Sequence, residues 1–122
     1  MKIPIVRIPI QKEKKYQALL ELLIPITLLT ETENKVTAFF LEESEILKDV
    51  PQPHRNKILF SEETRKKCRE TLSIKTSQFN FLISSLKKKG ILVKTQEGFS
   101  LPLILQQITE DTIGIKYEIT FI

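Results

Sequence analysis

The order of apolar and polar positions divides the chain into a helical centre and two extended ends. Residues 2–10, KIPIVRIPI, alternate imperfectly, and Pro4 and Pro9 remove ladder donors, so this stretch reads as an edge strand or an extended arm. Its apolar side chains, Ile3, Ile5, Val6, Ile8 and Ile10, need a surface to cover them, in the same subunit or another. Within residues 12–24, Tyr16, Leu19, Leu20 and Leu23 recur at three- and four-residue spacing opposite charged positions, which predicts a helix ended by Pro25. Thr30-Glu31-Thr32-Glu33 has the form of a capping box, and the helix it opens turns Val36, Phe39, Phe40 and Leu41 inward. Residues 49–54, with Pro51 and Pro53, read as a rigid connection.

Residues 61–101 carry the most regular plan. Ser61 predicts an N-cap, with Glu62 and Glu63 in the first turn where the helix dipole favours acids, and the helix runs to Leu72. Thr64, Cys68 and Leu72 share its inward side, which makes Cys68 a small buried hydrophobe. After Ser73-Ile74-Lys75, Thr76 predicts a second N-cap, and Phe79, Leu82, Ile83 and Leu86 form one buried stripe. Phe81 falls off that stripe. Lys87, Lys88 and Lys89 occupy the last turns, and Gly90 supplies the C-cap. Ile91-Leu92-Val93-Lys94 and Phe99-Ser100-Leu101 then read as two strands joined by a glycine-containing turn with Glu97 near its tip.

Helix, three-residue bend, helix and hairpin together resemble the winged helix-turn-helix domains of bacterial and phage regulators and replication initiators, over roughly residues 59–101. Leu72-Ser73-Ile74 is similar to the bend, Thr76 to Lys89 to the recognition helix, and Leu86, Lys88-Lys89-Gly90-Ile91-Leu92 to the exit into the wing. The resemblance implies a non-enzymatic DNA-binding protein, a small regulator or nucleoprotein component, with duplex DNA as partner. Lys75, Thr76, Ser77, Gln78 and Asn80 would face the major groove, and Lys87, Lys88 and Lys94 the phosphates. Gln78 and Asn80 are side chains able to pair bidentately with adenine. The alternative is a structural or adaptor protein of a phage particle or other assembly, using the same unit for protein contacts.

In the tail, Ile113, Ile115, Tyr117, Ile119 and Phe121 alternate with mostly polar residues, the pattern of a half-exposed strand. The expected fold class is therefore α+β: a mainly helical winged helix-turn-helix with a β-hairpin wing and terminal strands. Its expected organisation is an arm over 1–11, a helical winged-helix domain over 12–101 and a C-terminal tail over 102–122. Ile3, Ile5 and Ile8 in the arm and Tyr117, Ile119 and Phe121 in the tail are the candidate assembly residues, pairing within a subunit or between subunits of a homo-oligomer.

Charge sharpens the functional reading. The chain carries +4 overall, yet residues 55–94 hold eleven basic and three acidic side chains, so the remainder is net acidic. Such segregation offers a positive face to a polyanion. At 122 residues the chain has material for one core. One cysteine and one histidine, His54, cannot complete a zinc site, and no glycine-rich phosphate loop, HExxH or nucleophile elbow is present. Glu42, Glu43, Glu45 and Asp49 read as an acidic helix end. No cofactor, catalytic residue or metal site is expected. With no apolar run near the length of a bilayer and no signal-peptide pattern, the expected setting is cytoplasmic, or a virion under the assembly reading.

Overall fold

The computed structural model describes residues 5–95, 98–100 and 120–121. After a single 3-10 turn at Lys12–Lys14 come α1 (Lys15–Leu22), the one-turn α2 (Ile24–Thr27), α3 (Glu31–Ile46), α4 (Gln52–Leu59), α5 (Glu62–Leu72) and α6 (Thr76–Lys88). Helix α3 is the central element: α1, α4 and α5 all pack on it, and α4 also touches α5. Helix α6 joins through Phe79, whose ring lies 6.5 Å from that of Phe40 on α3.

The helix signals act as their chemistry requires. Thr30 Oγ1 accepts from the Glu33 amide at 3.2 Å while Glu33 Oε1 accepts from the Thr30 amide at 2.9 Å, so the capping box is complete. Ser61 Oγ accepts from the Thr64 amide at 3.4 Å and opens α5. The stripe Phe79, Leu82, Ile83 and Leu86 is buried, as are Val36, Phe39, Phe40 and Leu41. Phe40 is the hub of the core: it meets Phe39 edge-on at 5.7 Å and Phe60 at 4.9 Å in addition to Phe79. Cys68 is fully buried, and burial, reinforced by Glu43 and opposed by Arg69, pushes its thiol up to about 12. That is the behaviour of a packing residue rather than a nucleophile.

Four expectations are corrected. Among the described residues the fold is mainly helical rather than α+β, and no β-hairpin wing stands as a layer of the domain. Strand pairing among the described residues amounts to β1 (Val93–Thr95) against β2 (Gly98–Ser100), three residues each. The reason lies in Ile91 and Leu92, expected to begin the wing. Gly90 adopts φ +77°, and the amides of Ile91 and Leu92 turn back to the Leu86 carbonyl at 2.9 and 3.3 Å, closing α6 and burying both side chains in the helical core. Of the expected terminal strands, residues 5–11 form none, Thr120 and Phe121 are irregular, and the rest of the tail lies outside the described residues.

The second correction is that residues 52–54 are helical. Pro53 sits in the first turn of α4, where a missing N–H breaks no helical bond, and the Arg55 guanidinium reaches back to the Lys48 and Val50 carbonyls at 2.8 and 3.0 Å. Third, Pro25 begins a turn as much as it ends one, because it lies in the first turn of α2. Fourth, the residue preceding α6 is Lys75, with no side-chain cap, and Thr76 is already helical.

The α5–α6 bend explains how this unit is held without glycine. Ser73 adopts φ 55° and ψ 48°, its amide bonds the Glu70 carbonyl, and the Ile74 amide bonds the Arg69 carbonyl at 2.8 Å. Ile74 is buried beneath the bend. A left-handed conformation costs a residue with a Cβ about 1 kcal/mol that glycine does not bear. Ser73→Gly is accordingly expected to raise stability in urea by about 0.5–1 kcal/mol, an increase that the greater freedom of glycine in the unfolded chain keeps small.

Candidate nucleic-acid interface

Helix α6 turns four side chains directly away from the core. With about 100° between successive residues, Ser77, Phe81, Ser84 and Lys88 lie opposite the buried stripe, and all four are exposed. Phe81 is 74% exposed at the crest of this ridge. Lys75, Thr76, Gln78 and Asn80 are also exposed, but Gln78 and Asn80, two positions apart, sit about 200° from one another and flank the ridge on opposite sides. The candidate base-contacting residues thus share one helix end without sharing one face. Lys87 and Lys88 are exposed near the other end. Lys94 lies in β1.

At the start of α6 an open cleft is lined by Lys66, Arg69, Glu70, Ser73, Ile74, Lys75 and Thr76. Arg69 is anchored beside it: its guanidinium donates to Glu62 Oε1 at 2.8 Å and lies 5.6 Å from the Phe79 ring. That hydrogen bond, together with the Arg69 charge, lowers the Glu62 pKa. Lys67 turns the other way and bonds Glu43 Oε1 at 2.8 Å. Glu43 and Glu45 are likewise engaged, the latter by Lys15 at 2.9 Å, and no group of three His, Cys, Asp or Glu able to hold a metal occurs among the described residues.

The run Lys87-Lys88-Lys89 looks uniform in the sequence but divides in the structure. Lys89 Nζ donates to Glu33 Oε1 at 2.6 Å and to the Leu28 carbonyl at 2.8 Å, while Ser85 Oγ donates to Glu33 Oε2 at 2.7 Å. Glu33 is only 2% exposed. Burial works to raise its pKa, but the bonds from Lys89, Ser85 and Thr30 outweigh it and hold the carboxyl at about 2. This node ties the C-terminal turns of α6 to the first turn of α3 and to Leu28, which holds φ 57°. Lys89 therefore positions α6, and Lys88 remains on the ridge.

Comparison with known protein families, characterised proteins and solved structures finds no match to this chain. Of the candidate assembly residues, Ile5, Ile8 and Phe121 are exposed by 80%, 56% and 94%; Ile3, Tyr117 and Ile119 lie outside the described residues. No helix among the described residues is long and apolar enough to cross a membrane.

Proposed function

We propose that the protein binds duplex DNA, laying α6 in the major groove. The observation that carries this reading is the outward ridge of α6, polar along most of its length, with Lys88 on it and Lys75 exposed just before the helix begins, on a helix braced from behind by Phe79 and by the Glu33–Lys89 node. From Lys75 to Lys88 the helix rises about 20 Å. A major groove is about 12 Å wide. Cations at the two ends can therefore reach phosphates on both strands while the side chains between them meet base edges. Lys66, lining the cleft beside Lys75, adds positive charge at the N-terminal end, while Arg69 there is paired with Glu62.

The test is the salt dependence of duplex affinity, read by fluorescence anisotropy across a randomised pool. Binding is expected to weaken steeply as salt rises, and Lys75→Ala with Lys88→Ala should reduce the slope of log affinity against log salt by about 2, one phosphate for each lysine. Affinity weaker than about 10⁻⁴ M at low salt would contradict the proposal, since that is the weak end of ordinary non-specific binding. One observation favours a second reading, assembly with other proteins: the apolar side chains of Ile5, Val6 and Ile8 stand exposed on an arm without regular structure.

A further inference from the structure

Resting on that duplex-binding reading, we propose that Phe81 is a specificity-determining residue that packs its ring on the C5-methyl groups of thymines. Phe81 stands at the crest of the α6 ridge, 74% exposed, so it is the side chain that would reach furthest toward the groove floor. Its neighbours one turn away are Ser77 and Ser84, with Lys88 beyond, all exposed, and their small or polar side chains let the ring project alone. An apolar docking patch for a protein would need further apolar side chains around it. Among the described residues of this ridge there are none. The chemistry around the ring is cationic and polar, with Lys75 and Lys88 at the ends and Gln78 and Asn80 on the flanks, which suits a polyanion. Within the major groove of such a polyanion, the apolar feature available to a phenyl ring is the thymine methyl, and apolar contact with it distinguishes T·A from the other pairs.

The experiment begins from the tightest duplex selected from a randomised pool by the wild-type protein. That duplex is resynthesised with deoxyuridine for thymidine, which deletes only the methyl groups, and both forms are titrated at one salt concentration. Wild type should bind the uracil duplex about fourfold more weakly for each methyl the ring covers, the worth of one buried carbon. F81A should bind both duplexes alike and keep the wild-type salt slope, because no cation has been removed. Equal wild-type affinity for the two duplexes overturns the proposal while leaving DNA binding intact, and this arm needs no variant to fold. Discrimination that persists undiminished in F81A also overturns it, as does a change in sedimenting mass when Phe81 is replaced, which would make the ring a protein contact. If wild type retains no duplex from the pool, the duplex-binding reading fails and the thymine contact with it.

Discussion

Replacing Lys89 by methionine is expected to lower unfolding stability by about 3 kcal/mol at neutral pH, the low end of what breaking a buried ion pair costs. Methionine keeps an apolar stem but leaves the Glu33 carboxylate, 2% exposed, with only Ser85 and Thr30 as donors. The Lys89 side chain is 28% exposed, which is why the low end applies. The loss should depend on pH with a definite sign. In the parent protein the Glu33 pKa is lowered to about 2 from an ordinary value of 4.5, so its contribution is fully present above about pH 4.5 and disappears as pH falls toward 2. In the variant the carboxyl loses a main stabiliser of its charge and its pKa rises. The stability gap between parent and variant, measured in urea at pH 7 and at pH 3, should therefore narrow in acid. A gap that is constant with pH would place the effect elsewhere than in the Glu33 charge. The Leu28 carbonyl also loses its lysine partner, which should loosen the α2–α3 turn.

Phe40→Ala is expected to cost about 3–5 kcal/mol, as truncation of a fully buried aromatic does. The ring is the point at which α3 meets Phe60 after α4 and Phe79 on α6, so its loss opens a cavity between three elements that cannot all close on it. Against a typical domain stability of about 5–15 kcal/mol, the variant should be marginal and melt at temperatures that the parent tolerates. Phe81→Ala provides the contrast. Being 74% exposed, Phe81 can be truncated with a stability change within about 0.5 kcal/mol. Chemical denaturation of the two variants side by side separates the phenylalanine that builds the core from the one that stands on the ridge. Equal losses would place Phe81 in the core and remove the ridge.

Much of the helical framework was legible because its determinants are local. The Thr30–Glu33 box, the Ser61 cap, the Phe79 to Leu86 stripe and Gly90 are each set by residues within a few positions of one another. Helix α4 was hidden by Pro51 and Pro53, which signal a connection unless they flank and enter a first turn, and by Arg55, whose bonds to Lys48 and Val50 draw the preceding turn in. The departure from the expected wing has a related cause. Ile91 and Leu92 have strand-like side chains, but the left-handed Gly90 before them commits their amides to the end of α6. The role of Lys89 could not be read locally, because its partner Glu33 lies 56 positions away. A weak signal did exist: Lys89 follows Ser85 by four residues on the flank of the buried stripe, where a long cation can turn inward. The candidate interface was legible as a set of residues but not as a shape. Gln78 and Asn80 looked like neighbours, whereas the helix turns them to opposite flanks and gives the crest to Phe81.

Duplex DNA is proposed to meet the outward ridge of α6. Amide NMR shifts recorded during addition of a duplex selected by the protein test it most directly. The largest changes are expected at Ser77, Asn80, Phe81, Ser84 and Lys88, followed by Lys75 and Lys66, with α1 and the acidic end of α3 unchanged. Shifts concentrated in residues 5–11, or no shifts at saturating duplex and low salt, would contradict it.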